Sequence, residues 1–209
     1  MCFCDDLIAR VVQPNRDKQK YRQEIYVMRT EDMPQEMQVL LHEHPRSTWE
    51  THPGFKERTR NWMGAHKMFR KLTQIVVEDC EVFLNSDMGA NDYRFRLSQF
   101  GNRLIGNLSG HHAWEDLEYF PELSRADPRF DRGLQILEKD HEDLEGVLET
   151  FSKTGSHALN LDDLSDGRFR TSVGKIHTLS QTIDSILSRH LNDEEDLAVP
   201  IILQYRLRG

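Results

Sequence analysis

Residues 111–121 read HHAWEDLEYFP, and residues 190–200 read HLNDEEDLAVP. In both stretches a Glu follows the first His by four residues, a second acid follows by five, and a Pro follows by ten. Four residues of an α-helix turn the chain by about 40° beyond one full turn, so each His and its Glu lie on one helical face. Two such pairs facing each other would form a metal site of imidazoles and carboxylates.

The apolar pattern around these stretches predicts four long helices. Apolar residues recur at alternating spacings of three and four, as in helices that pack into bundles. We expect helices over about 55–84 and 91–120, a third that begins at Pro128 with Asp127 as its cap, and a fourth after a link over roughly 154–170. The short turns at 87–91 and 121–128 make consecutive helices antiparallel neighbours. The predicted fold is an all-α, up-down-up-down four-helix bundle.

Each predicted helix carries one histidine where its pattern calls for an apolar residue. Four imidazoles in a core would each cost roughly a few kcal/mol if they had no partners. The up-down arrangement brings all four to one level of the bundle, beside the two glutamates of the repeated stretches. Carboxylate plus imidazole suits iron or manganese, with zinc possible. The predicted metal ligands are His66, His111, Glu115, His141, His190 and Glu194.

Several neighbouring residues leave alternatives open. A lone inward histidine is more often a hydrogen-bonded core residue, and a structural bundle with a vestigial site is one hypothesis. Glu145 lies one turn beyond His141 and could be a seventh ligand, although Leu144 holds the inward position. His112 is about 100° round the helix from His111, which indicates an outer-layer or solvated residue. Asp116 and Glu195 would orient ligand rings or face water.

Composition narrows the class of protein. The chain has 209 residues, 30% of them charged, with a formal net charge of -8, so a general nucleic-acid binder is not expected. No stretch is long and apolar enough to predict a membrane span or a signal peptide. The three cysteines, Cys2, Cys4 and Cys80, cannot all pair within the chain, which favours a reducing, cytoplasmic location.

Residues 1–54 do not share the bundle pattern. Four prolines interrupt them, and Asp32 with Pro34 can start one short helix through about Glu43. We therefore divide the chain into an irregular N-terminal extension, 1–54, and a bundle, 55–209. The histidines at 42, 44 and 52 could form a loose metal cluster, but a solvated segment is the simpler interpretation.

The ligand-bearing motifs resemble those of the hemerythrin-like proteins, the HHE cation-binding domain family. The resemblance covers about residues 55–205 and rests on four elements: Ala65-His66, His111-His112-x-x-Glu115-Asp116 with Phe120-Pro121, Asp140-His141-Glu-Asp-Leu144, and His190-x-x-x-Glu194-Glu195 with Pro200. It implies a four-helix bundle around a non-haem di-iron centre. One iron would take His66 and His111 and the other His141 and His190, with Glu115 and Glu194 bridging.

The chain departs from the oxygen-carrying members of that family. They have a second histidine one turn along the third helix, where this chain has Glu145, and they end in His-x4-Asp, where it has His-x3-Glu. Fewer imidazoles and more carboxylates favour the ferric state of the iron. A centre held in the ferric state is poorly suited to reversible dioxygen carriage. The resemblance therefore implies a protein that senses or handles dioxygen, nitric oxide or iron. The alternative is an enzyme that turns over peroxide or nitric oxide or repairs iron centres, and no residue decides between them.

Overall fold

The computed structural model describes residues 29, 31–164 and 167–207, and these ranges contain helices and turns but no strand. The bundle consists of α2 (Glu57–Leu84), α3 (five consecutive segments, Ala90–Arg96, Leu97–Gly101, Asn102–Trp114, Glu115–Tyr119 and Phe120–Ala126), α4 (Asp131–Leu159) and α5 (Gly167–Tyr205). Before it come the 3-10 turn Gln35–Met37, the short helix α1 (Val39–Glu43) and the 3-10 segment Arg46–Thr51. The predicted all-α bundle is confirmed.

The four long helices pack as a ring. Helix α5 contacts α2 and α4 along its length, and α3 contacts the same two helices on the opposite side. The inward faces predicted from periodicity are buried, except that Phe100 and His111 on α3 are only partly buried. On α5 the buried positions include Phe169, Val173, Ile176, Ser180, Ile183, Leu187, His190 and Glu194.

Two helix ends differ from the predicted ones. Helix α4 continues to Leu159 because Ala158 is fully buried against the core, so the exposed His157 lies in its last turn rather than in the link. Helix α3 continues past Pro121 to Ala126, because Pro121 stands in the first turn of the final segment, where no backbone N–H is needed. The predicted third helix begins at Asp131 rather than at Pro128, and it has no side-chain cap of its own. Asp127 instead caps the 3-10 turn Pro128–Phe130 that leads into α4, because its carboxylate accepts a hydrogen bond from the Arg129 backbone N–H at 3.2 Å.

Two π-helical turns interrupt α3, at Leu97–Gly101 and at Glu115–Tyr119. The second begins at a predicted ligand. Its wider turn accommodates an extra residue, so Tyr119 and Phe120 are both buried while Leu117 is 79% exposed. The sequence pattern predicted a regular α-helix here. Such turns occur frequently at functional sites.

Two apolar clusters lie on either side of the inward histidines. One is built around Phe69, Leu108 and Leu187, and the other around Trp62, Leu137 and Leu197. Buried residues of the extension, Met33, Met37, Leu40 and Trp49, belong to the second cluster. The described part of the extension therefore covers one end of the bundle.

Among the helices that the structure describes, none combines the length and the apolar character that a membrane span requires.

Candidate metal centre

The structure brings all six predicted ligands together in the bundle. They lie on all four long helices, with one residue each from α2 and α4 and two each from α3 and α5. The side chains of His66, Glu115, His190 and Glu194 have no exposed surface, and those of His141 and His111 are 4% and 10% exposed. Donor groups of this kind are buried only when something compensates the loss of hydration.

The four imidazoles form two pairs. The Nε2 atoms of His66 and His111 lie 3.0 Å apart, and those of His141 and His190 lie 3.1 Å apart. Metal–imidazole bonds are roughly 2.1 Å long, so nitrogens at these separations can be adjacent ligands on one ion. The geometry thus offers two neighbouring metal positions.

Two carboxylates lie between the pairs. Glu115 directs Oε1 to His111 Nε2 at 2.9 Å and Oε2 to His141 Nε2 at 3.7 Å. Glu194 Oε2 is 3.4 Å from His66 Nε2 and 3.7 Å from His190 Nε2. Each carboxylate therefore reaches both imidazole pairs, as a bridging ligand must.

Some of these carboxylate oxygens lack partners. Both oxygens of Glu194 and Oε2 of Glu115 are buried without a hydrogen bond, whereas Oε1 of Glu115 accepts one from Trp62 Nε1 at 2.6 Å. Burial and the nearby Glu115 raise the pKa of Glu194 well above its usual value. Burial also acts to raise the pKa of Glu115, but the rings of His111 and His66 outweigh it and lower that pKa. Burial and the neighbouring Glu115 thus both favour the neutral form of Glu194, and a cation bound by both acids would favour the ionised form instead.

Three further acids lie behind the imidazoles. Asp116 Oδ1 is 2.7 Å from His141 Nδ1, and Glu195 Oε1 is 3.1 Å from His66 Nδ1. Asp140 Oδ2 is 3.6 Å from His190 Nδ1, which is too long for a hydrogen bond. A carboxylate at Nδ1 fixes the ring so that Nε2 faces the metal and makes that nitrogen a stronger donor.

Arginines from the extension hold two of these acids. Arg29 Nη2 donates to Asp140 at 2.8 Å, and Arg46 Nη1 donates to Glu195 at 2.8 Å. Burial acts to raise the pKa of Asp140, but His190 and Arg29 outweigh it and lower that pKa to about 2. Sequence reasoning missed both arginines because they lie more than 100 residues from their partners.

His112 lies inside the bundle rather than in solvent. It is 4% exposed, and its ring stacks on that of His141 with centroids 3.9 Å apart and planes 9° apart. Neither ring nitrogen has a hydrogen-bond partner. Burial lowers the pKa of His112 well below its usual value, so the ring is neutral.

The remaining candidates lie away from the centre. Glu145 is exposed and accepts a hydrogen bond from Ser109 Oγ at 3.1 Å, so its carboxylate does not face the imidazoles. His177 pairs with Glu81 near the surface. The rings of His44 and His52 lie 5.4 Å apart without forming a metal-ligand group in the described part of the chain. Cys2 and Cys4 lie outside the described residues.

Replacing Asp116 with Asn should weaken metal binding by roughly 10- to 100-fold without unfolding the bundle. The amide keeps the shape of the carboxylate but loses the charge that orients the His141 ring. Competition with a chelator of known affinity measures this effect. Glu142→Gln is the matched control, because Glu142 is an exposed acid of α4 that pairs with Lys139. Equal affinities in the two variants would contradict the orienting role of Asp116.

The fold and the donor set define a cation-binding helical bundle. The family model described as hemerythrin HHE cation binding domain matches residues 58–202, well over half of the chain. The chain therefore belongs to the hemerythrin HHE cation-binding domain family. No curated protein and no solved structure gives a significant match.

Proposed function

We propose that the chain is a non-haem di-iron protein that senses or handles dioxygen, nitric oxide or iron. The observation that carries the proposal is the pairing of four imidazoles around two carboxylates that reach both pairs. His66 and His111 hold one iron, His141 and His190 hold the other, and Glu115 and Glu194 bridge them. The buried carboxylate oxygens of Glu115 and Glu194 that accept no hydrogen bond fit this assignment, because two cations would give them partners.

The donor types favour iron over softer metals. The six groups offer only imidazole nitrogen and carboxylate oxygen, which suit iron and manganese and also permit zinc. Cys80, the free thiol that the structure describes, is buried in the apolar cluster around Phe69 and contacts the Tyr93 hydroxyl at 3.3 Å. We therefore assign two iron ions, with manganese or zinc as substitutes.

The surroundings of the site favour a small ligand. Trp62 packs on His66 with ring centroids 4.3 Å apart, and Phe69 packs on His111 at 5.0 Å. Phe120 stacks on His141 at 5.5 Å. These rings shield the imidazoles from bulk water, which favours a small ligand, so dioxygen or nitric oxide is the ligand that we propose. Bound iron would supply one-electron redox chemistry and bind the small ligand, and the chain supplies the dry, acid-rich enclosure.

The second candidate function is an enzyme that turns over peroxide or nitric oxide or repairs iron centres. The acids behind the rings favour it, because Asp116 and Glu195 increase the donor strength of His141 and His66. Stronger donors stabilise oxidised iron and so support cycling between oxidation states. In either role we propose a cytoplasmic protein that binds neither nucleic acid nor membrane.

The test uses the full chain reconstituted anaerobically with ferrous iron. We expect two iron ions per chain by metal analysis and an optical and paramagnetic resonance spectrum that changes on addition of nitric oxide. Fewer than one iron per chain, or spectra indifferent to nitric oxide and dioxygen, would contradict the proposal. Steady-state assays with peroxide and nitric oxide then separate the two roles, since absence of turnover leaves the binding role.

A further inference from the structure

His112 is a buried polar group that the six-ligand centre leaves unexplained. A neutral imidazole carries one N–H donor and one acceptor nitrogen, and buried groups of this kind almost always find partners. Here both nitrogens are buried and unpartnered although the ring is 4% exposed. The ring therefore carries a desolvation cost that no hydrogen bond in the described part of the chain offsets.

The position of the ring suggests what would offset it. One nitrogen each from His112, His141 and His190 lie within 4.8 Å of one another, and all three residues are buried. The ring of His112 lies 5.5 Å, edge to face, from that of His190 and stacks parallel to that of His141 with centroids 3.9 Å apart. The His112 ring must therefore turn out of this stack for its in-plane lone pair and that of His141 to meet one ion. These are the two histidines of the second metal position. The first position has its own group of this kind, formed by His66, His111 and Glu115.

The consecutive histidines of α3 explain how one helix can reach both positions. Successive residues of a helix point about 100° apart. Helix α3 packs between α2 and α4, so His111 meets His66 on α2 while His112 meets His141 on α4. His111 and His112 lie in the regular α-helical segment Asn102–Trp114, and the π turn begins directly after that segment, at Glu115.

We propose that His112 is a ligand of the second metal position, so that this position has three imidazoles and the centre has five. This inference rests on the proposed two-metal centre. The proposal also affects the chemistry of the centre. The third imidazole of the second metal position comes from α3, whereas the residue one turn beyond His141 on α4 is the exposed Glu145. More imidazole on one metal makes the two ions inequivalent and favours the ferrous state at the second position.

The test substitutes His112→Phe in the full chain and uses His177→Phe as the control. Phenylalanine keeps the flat ring that stacks on His141 but removes both nitrogens, and His177 is a histidine of α5 that pairs with Glu81 away from the centre. In titrations with ferrous iron we expect wild type and control to bind two ions tightly. The His112→Phe variant should keep one tight ion and bind the second at least tenfold more weakly. Two ions bound with unchanged affinity would overturn the proposal.

A second measurement gives a decisive result on the wild-type protein alone. In the cobalt-substituted protein each coordinating imidazole keeps one N–H, whose proton resonance the paramagnetic ion shifts strongly. We expect five shifted exchangeable protons in wild type and four in His112→Phe. Two cobalt ions with only four shifted protons in wild type would overturn the role of His112 alone. Uptake of fewer than two ions by wild type would overturn the two-metal centre and this role with it.

Discussion

Replacing Glu194 with Gln should reduce bound iron from two ions per chain to one or none. The amide has a single oxygen acceptor and no charge, so it cannot bridge two cations, whereas Glu194 Oε2 lies between His66 and His190 in the native chain. Metal analysis after reconstitution and desalting measures the effect, which we expect as a loss of at least half of the iron.

This substitution separates metal binding from folding. The raised pKa of Glu194 favours its neutral form in the metal-free protein, and Gln reproduces the neutral, buried shape of that form. The metal-free variant should therefore melt within a few degrees of the metal-free wild type. Glu145→Gln is the control, because Glu145 is an exposed acid one turn from His141 and should leave iron content unchanged. Full iron content in Glu194→Gln would exclude a bridging role for this residue.

Removing the metal should produce the largest change in stability. The ligands converge only in the folded chain, so each bound ion stabilises that state. At a free metal concentration 100 times the dissociation constant, one ion contributes about 2.7 kcal/mol, and two contribute roughly 5 kcal/mol. For a chain of this size, that corresponds to a decrease in Tm of roughly 10–20 °C on chelation.

Thermal unfolding followed by circular dichroism, with and without chelator, checks this value. The Glu194→Gln variant provides the internal comparison, since a protein that has lost its iron should respond weakly to the chelator. A metal-loaded wild type whose Tm does not change on chelation would show that the buried histidines act as structural residues. In that case, replacing His111 and His190 with Leu should stabilise the fold, because unpartnered polar groups would leave the core.

The inward ligand faces could be predicted because helical geometry is local. A residue and the one four positions later share a face in any α-helix, so His190 and Glu194 had to lie together. The same periodicity predicted that Leu137, His141 and Leu144 share one face, and all three are buried. Family motifs then indicated which pairs of histidines would meet, and the observed Nε2 separations agree with that pairing.

His112 shows where periodicity fails. A single line of apolar residues marks one face of a helix, but α3 contacts both α2 and α4, so its buried arc is wider than that line. The π turn at Glu115–Tyr119 widens it further, because the extra residue brings Tyr119 and Phe120 inward together. Neither effect has a signal within the helix itself, since both depend on which helices become its neighbours.

The sequence by itself determined four long helices and the main face that each buries, because these depend on interactions between residues a few positions apart. The short turns then made consecutive helices antiparallel, which set the common level of the four predicted histidines. Only the tertiary structure decided what surrounds the six predicted ligands: Arg29 on Asp140, Arg46 on Glu195 and the burial of His112 beside His141. Those contacts join residues that are distant along the chain. Their geometry follows from how whole helices pack and where the extension crosses them, which no local pattern records.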